Sequence, residues 1–534
     1  MLFPLQGWAN PDGGALSSEV ETLPESLPQV EENIPLEPLP TAPLAEDEQA
    51  IKVRIERIEF SGVNSIAVGE LEDAVSDALG EEHSFNGLNN LANRVQSIYQ
   101  EEGYLMAQAY LPEQSLKDGV LLIEVKEGLL GEVNVLAQGR LKPEIAERFV
   151  NSLRDKPLHS EALERKLRLL TDLPGNDVRI VFEPSQQEGR ADMQLTTTDT
   201  DKYSGYIGLD NHGNRFVGGT RVSALLNVNN ALGYAEQFSV NAATSGGGYK
   251  YLSLAASAPL GGDGLKLRTS VAQTRYELGE RFSSLEADGD NDQATLGLVY
   301  PIFRSLNKNV YTLLDLNYQA FEDRVGSSNS LSDKDIKSLR FGFEGNRTTQ
   351  TADVWQWGMY LTAGEVALDN TSVANDSYGV HGDFAKFNAH LSYRRMLSDK
   401  WRFNGHSSVQ FSADNLDSSQ KMQLGGSGAV RAYPSGEALV DNGVLVRVEL
   451  DYQWRDNLSV GAFVDAAAGR EHKFPLATDT SNHKRLSGVG LKADWQLGKQ
   501  WVLKSSIAWR TERAPTSDSR DLEPRFWLQL VKHF

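Results

Sequence analysis

The sequence predicts a membrane β-barrel of antiparallel strands preceded by two small α+β domains. Three observations carry that expectation. Between residues 51 and 199 the order strand, helix, helix, strand, strand occurs twice at a period of roughly 75 residues. Beyond residue 200 helical periodicity gives way to apolar–polar alternation that continues to the end. Between two such alternating runs, the loop text GSGAVRAYPSGEALVDNG carries one arginine, Arg431, among turn formers.

Composition bounds the function. The chain has 534 residues, room for two or three domains. Asp and Glu outnumber Lys and Arg by 73 to 52, which argues against a nucleic-acid partner. The absence of cysteine removes disulfides, thiolate catalysis and thiolate metal sites together. No window approaches 18 consecutive apolar residues, so a transmembrane helix is not expected, whereas barrel strands need only alternate. The opening MLFPLQGWANPDGG lacks a basic segment and an apolar core, so it is not read as a secretory signal.

Residues 1–50 hold 8 of the 19 prolines, ten acidic residues and no Lys or Arg. Such a segment buries too little apolar surface to offset its ordering entropy, and it reads as an extended acidic linker.

The first α+β copy opens with IKVRIERIEFSG, a strand ending at Gly62. VGELEDAVSDALG then spaces Leu71, Val75 and Leu79 four apart, and FNGLNNLANRVQSIYQEEGY places Leu88, Leu91, Val95, Ile98 and Tyr99 on one helical face. YLMAQAYLP and GVLLIEVKEG supply two further strands. The second copy runs GEVNVLAQG, PEIAERFVNSL, HSEALERKLRLLTDL, DVRIVFEPS and GRADMQLTTTD.

In the last region, VLVRVELDYQ sets Val444, Val446, Val448, Leu450 and Tyr452 against Leu445, Arg447, Glu449, Asp451 and Gln453. LKLRTSVAQT likewise sets Leu265, Leu267, Thr269 and Val271 against Lys266, Arg268, Ser270 and Ala272. One apolar and one hydrated face suits strands between lipid and a wet lumen, with Lys266, Arg268, Arg447 and Glu449 as lumen-facing residues. A soluble sandwich also alternates. The length of the region and the aromatics Tyr318, Tyr452, Trp501 and Trp509 near strand ends favour the barrel. An open edge would leave backbone groups unpaired in lipid, so the barrel must close.

The order of the repeated unit, with EEGY and IEVKEG, resembles POTRA domains, periplasmic modules of outer-membrane assembly and secretion proteins; two unrelated α+β units are the alternative. The resemblance sets the domains at 51–127 and 128–199 and the barrel at 200–534. The terminal text RFWLQLVKHF, with Phe526, Leu528, Leu530 and Phe534 in step, resembles the assembly signal of bacterial outer-membrane barrels.

Two such modules ahead of a barrel carrying VRAYPSGE resemble a two-partner secretion transporter of the TpsB family, across residues 51–534. The family implies 16 strands and a loop, about 425–443, folded into the lumen. Its Val-Arg-Gly-Phe/Tyr motif maps to Val430, Arg431 and Tyr433, and its Phe-x-Asp-x-Gly strand to Phe463 and Asp465 in GAFVDAAAG. Ala432 and Ala467 replace the two motif glycines, which puts the loop's fine geometry in question. A guanidinium forked onto a carboxylate would hold the loop in one register.

The resemblance implies outer-membrane translocation of one large exoprotein of the TpsA type, received unfolded by the POTRA domains. Ala107, Gln108, Ala109, Tyr110 and Leu111 are the candidate strand edge for that client, because Pro112 is tolerated at an edge. Other implied partners are outer-membrane lipid and lipopolysaccharide, and the barrel-assembly machinery during biogenesis; no nucleic acid is expected, and the protein is read as a monomer. A plug helix is common in the family, although the first 20 residues show no strong helical period. No catalytic residues, cofactor or metal are expected: His212 is isolated, GGSG is followed by no Gly-Lys-Ser/Thr, and no nucleophile–base set stands out. A barrel-assembly insertase, which shares the arginine motif, is the alternative. The identity of the exoprotein stays open.

Overall fold

The computed structural model describes residues 51–534 apart from Lys117, Glu188, Thr480, Ser519 and Asp521; the acidic linker and any plug segment lie outside the described residues. In the first α+β unit, strand Val120–Lys126 pairs in parallel with Arg57–Ser61 and antiparallel with Gln108–Tyr110. Helix Phe85–Glu101 starts where Ser84 Oγ accepts the Gly87 N–H at 3.1 Å, and it buries Leu88, Leu91, Val95 and Tyr99 against that sheet. Helix Val68–Val75 stops one turn earlier than its spacing predicts. Gly80 N–H donates to the Ile55 carbonyl at 2.7 Å, which draws the chain off the helical path and leaves Leu79 46% exposed.

Glu127 fastens this unit. Its carboxylate accepts the N–H groups of Asn64 (2.7 Å) and Ser65 (2.6 Å), the Ser65 hydroxyl (2.8 Å) and the Tyr99 hydroxyl (3.1 Å). Burial alone would push the carboxyl up, but these donors together hold it below the ordinary carboxylate value.

In the second unit, strand Arg190–Asp199 lies between Leu129–Ala137 (parallel) and Asn176–Pro184 (antiparallel). Helices Pro143–Val150 and Ser160–Thr171 bury Phe149, Leu163, Leu167 and Leu170 beneath that sheet. The two units abut closely: Ser160 N–H donates to Gly103 O at 2.8 Å, and Tyr104 meets His159 edge-on at 5.1 Å.

Sixteen antiparallel strands then close into a barrel. They are β1 (Tyr203–Asp210), β2 (Arg221–Asn229), β3 (Gln237–Thr244), β4 (Tyr249–Leu260), β5 (Leu265–Glu277), β6 (Ala287–Arg304), β7 (Lys308–Val325) and β8 (Ser330–Thr348), followed by β9 (Val354–Leu368), β10 (Gly382–Met396), β11 (Trp401–Ser412), β12 (Asn442–Arg455), β13 (Leu458–Arg470), β14 (His483–Leu497), β15 (Trp501–Arg510) and β16 (Arg525–His533). The wall is uneven, since β1 and β3 have 8 residues while β8 has 19. Outward residues such as Leu254, Leu316, Leu361, Val446, Leu491 and Leu528 are exposed, as a lipid-facing band requires, and Phe526 also faces out. At the end facing the α+β units, Trp355 packs on Tyr393 and Trp401 on Tyr452, a girdle at the membrane boundary.

The second α+β unit docks on three turns of the barrel's near end. Asn230 bonds Asn176 at 3.2 Å, Asp263 pairs with Lys166 at 2.5 Å, and Arg304 forks onto Asp172 at 2.6 and 2.7 Å. Arg165 adds a 2.6 Å bond to the Pro301 carbonyl. These bonds leave the unit fixed against the turns after β2, β4 and β6.

Candidate functional site

Residues 413–441, between β11 and β12, fold back into the barrel. A short pairing of Met422–Gln423 with Leu439–Val440 makes the loop a hairpin, and its tip carries Val430, Arg431 and Tyr433, all buried. The wall beside the tip comes from β12 and β13, whose register sets Arg447 opposite Asp465 and Glu449 opposite Phe463. Alternation on these two strands turns Val446, Val448 and Val464 outward and leaves the charged residues and Phe463 inside.

Arg431 meets this wall with all three guanidinium nitrogens and with one face of the group. Nε and Nη2 donate to the two oxygens of Asp465 at 2.8 and 2.7 Å, and Nη1 donates to Glu449 Oε1 at 2.7 Å. Its backbone N–H adds a bond to Asp465 at 3.1 Å, and its Cζ lies 3.4 Å from the centroid of the Phe463 ring. The Arg431 side chain is 6% exposed and that of Asp465 0%, so the pair is shielded from bulk water. Burial removes hydration from both charges, and the fork, the ring and the second carboxylate offset that cost.

The charges continue down the lumen. Lys492 bridges Glu449 (2.7 Å) and Asp451 (3.4 Å), and Arg402 meets Asp451 at 3.0 Å, beside a polar cavity of about 420 Å³. Arg447 donates to the Gly428 carbonyl of the loop at 2.9 Å. Across the lumen, Arg268 and Arg340 converge on the fully buried Asp315 at 2.8 and 2.9 Å. Lys266 shares the inward face of β5 with Arg268, but no carboxylate pairs with it among the described residues.

Ala432 needs no glycine conformation, because the positive-φ residues of the loop are Gly426, Gly436 and Ala438. Its methyl instead fits over Gly488 of β14, where a Cβ would lie 2.5 Å from the Ala432 Cβ. Ala467 packs in the apolar cluster around Val430 and Tyr433.

Several contacts of the loop were not foreseen from sequence. Trp527 of β16 donates its indole N–H to the Arg431 carbonyl at 2.7 Å, and Tyr433 donates to the Arg513 carbonyl at 2.9 Å. Ser435 bonds the His212 carbonyl at 2.7 Å, so the 211–220 hairpin also touches the loop. Glu437, 3% exposed, accepts four bonds from Thr516 and Ser517. At the loop's base, Lys334 pairs with Asp417 at 3.0 Å and Lys421 with Asp441 at 3.1 Å. Only the motif could have flagged the tip; these other partners lie on distant strands and loops.

The strand edges of the α+β units differ. The Ala109 N–H, which points away from Val120–Lys126, is taken by Gln96 Oε1 at 3.3 Å, and Gln114 bonds both Leu122 N–H (2.7 Å) and its carbonyl (2.8 Å). The edge at Ala107–Leu111 is thus short and blunted by glutamine side chains. Asn176–Pro184 is a nine-residue edge. Thr197, its register partner at Val178, gives its carbonyl to Gln138 on the other side, so Val178, Ile180 and Phe182 turn their N–H and C=O groups outward.

Comparison with known proteins converges on one family. A family model described as haemolysin secretion/activation protein ShlB/FhaC/HecB matches residues 189–493, and a POTRA domain model, ShlB-type, matches residues 53–128. The heme/hemopexin transporter protein HuxB of Haemophilus influenzae (strain 86-028NP) is 25% identical over 98% of this chain and 95% of its own. The outer membrane transporter CdiB of Escherichia coli O6:K15:H31 is 24% identical over 74% of this chain and 68% of its own. Among solved structures, CdiB from Escherichia coli covers 92% of this chain and 93% of its own with a TM-score of 0.73 at 20% identity. BamA from Haemophilus ducreyi, lacking POTRA domains 1–3, covers 91% of this chain and 100% of its own with a TM-score of 0.56 at 15% identity, a likeness of fold. The chain belongs to the ShlB/FhaC/HecB family: it is an outer-membrane β-barrel transporter of two-partner secretion, with POTRA domains in the periplasm, that exports a partner exoprotein.

Proposed function

We propose that residues 413–441 are the resting obstruction of the conduit and that Arg431 is their anchor. Supporting this is the capture of one buried guanidinium by Asp465, Glu449 and Phe463 on the barrel wall. Passage of a client would require the loop to shift, and the fork on Asp465 fixes the register to which it returns. The mixed charges of Arg268, Arg447, Glu449 and Lys492 keep the lumen hydrated without favouring one sign of passing chain.

Client reception would fall on the POTRA strand edges. The outward main-chain groups of Asn176–Pro184, among which Asp177 Oδ1 takes the Val178 N–H at 2.9 Å, offer a longer template than Ala107–Leu111, with alternate side chains giving selectivity. The outward apolar band would carry lipid and lipopolysaccharide, the terminal strand would engage the barrel-assembly machinery, and the transporter would act as a monomer without catalysis of its own.

The test is Arg431→Ala in a secretion assay run beside a heat-modifiability gel. Removing one partner of a buried pair costs about 3–5 kcal/mol of loop anchoring. The barrel, closed by its own strand ladder, is expected to form while secretion falls; normal secretion by a folded Arg431→Ala barrel would remove this role.

A further inference from the structure

Loop 413–441 is also fastened at Glu437, four residues past Tyr433, whose hydroxyl already donates to the carbonyl of Arg513 in the 511–524 loop. Glu437 lies on the arm returning from the tip, between Gly436 (φ 83°) and Ala438 (φ 56°). A non-glycine residue held in the left-handed region marks backbone shaped by its surroundings. Here the double bend aims the Glu437 carboxylate at the last extracellular loop, 511–524.

The contact is complete. Oε1 accepts the Thr516 N–H at 2.8 Å and the Thr516 hydroxyl at 2.9 Å. Oε2 accepts the Ser517 N–H at 2.9 Å and the Ser517 hydroxyl. No ion pair involves Glu437 among the described residues, so this buried carboxylate is held by two consecutive residues through amides and hydroxyls.

Ser517 and the next residue, Asp518, are themselves pinned to the rest of the extracellular rim. Arg281 of the 278–286 loop donates to the Ser517 carbonyl at 2.9 Å. Arg215 of the first hairpin reaches Asp518 and also Glu280 (3.0 Å), and Arg520 returns to Glu280 at 3.0 Å. Three extracellular loops and the lumen loop therefore meet around Thr516, Ser517 and Asp518.

We propose that Glu437 is a positioning residue for transport, a second clamp that ties the lumen loop to the 511–524 loop and closes the extracellular mouth, and that must release for a client to leave. This rests on the reading of 413–441 as the obstruction. The two clamps differ chemically. Arg431 is a charge pair against the wall, which fixes where the loop sits. Glu437 binds uncharged donors near the mouth, where water can replace every partner on release, so it suits a contact that opens and recloses.

Planar-bilayer conductance of purified full-length Glu437→Ala, beside heat-modifiability, reads the clamp without a client. The variant barrel is expected to stay folded and to open about tenfold more often than the parent. Because the chain has no cysteine, Glu437→Cys with Ser517→Cys can be bridged by a short, reducible bis-methanethiosulfonate. Bridging is expected to suppress both openings and secretion, and reduction to restore both. Unchanged conductance in a folded Glu437→Ala barrel, or full secretion by the bridged form, would overturn the clamp. If Glu437→Ala does not fold, the bridged pair decides alone. Suppressed conductance with no secretion in any form, parent included, would count against the transport reading while leaving the clamp standing.

Discussion

A methyl group added at Gly488 would lie 2.5 Å from the Ala432 Cβ and 2.9 Å from the Trp509 carbonyl. Ala432 sits one residue from the anchor, so Gly488→Ala should lift the loop tip off the wall, at a cost of about 1–3 kcal/mol of overpacking. Secretion is expected to fall while heat-modifiability stays normal, and adding Ala432→Gly should recover much of the loss; a Gly488→Ala variant that secretes like the parent would show that the tip has slack. The tip is also where sequence and structure can be compared most directly. Arg431 and Asp465 were legible because both stand in a motif. Glu449 was legible only as a lumen charge, and its bond to Arg431 depends on the β12–β13 register. Trp527 and Glu437 gave no signal, because an indole in a terminal strand and a glutamate in a turn-rich loop are ordinary until the fold brings their partners within reach.

The first POTRA unit shows how a buried acid can organise an element. Glu127 joins the end of strand Val120–Lys126 to the 64–65 turn and to Tyr99 of helix Phe85–Glu101. Its folded-state carboxyl is held below the ordinary 4.5, so its contribution is fully present above that pH and is lost as pH falls through the folded value. Protection of the Asn64 and Ser65 amides from hydrogen exchange, measured in the full chain, should be flat from neutral pH down to about pH 5 and drop below it. Glu127→Gln puts an NH₂ where an acceptor is needed and should reduce protection by about 2 kcal/mol, with the acid-dependent drop largely gone. Protection that ignores both changes would mean Glu127 is dispensable. Helical spacing and strand order in this unit were readable from the sequence. The early end of Val68–Val75 was not, because the bond from Gly80 to Ile55 that ends it joins residues far apart in the chain.

Alternation exposed the barrel as a whole but not its unevenness, since hydropathy marks which face is wet and says nothing of how far each strand rises. β1 and β16 share only the register from Asp210↔Gln529 to Tyr206↔His533. Gly205 and Phe534 extend that seam by exchanging two bonds, at 3.0 and 3.1 Å, so the terminal phenylalanine helps close the sheet. Gly205 also lies against β2: a Cβ there would stand 2.0 Å from the Leu225 carbonyl oxygen and 3.0 Å from the Phe534 ring. The carbonyl belongs to a strand paired on both sides and cannot withdraw without breaking the ladder. Gly205→Val should therefore prevent closure, leaving material that runs at the denatured position on an unheated gel and is digested by added protease. Gly208, three positions along the same strand, is the control. A Cβ there meets the Ser223 hydroxyl at 2.9 Å, a side-chain atom that can rotate away, so Gly208→Ala should assemble normally. Equal assembly of the two variants would mean that closure does not depend on the packing of Gly205 against Leu225 and Phe534; selective failure of Gly205→Val would place the weak point of the whole cylinder at the short seam between β1 and β16.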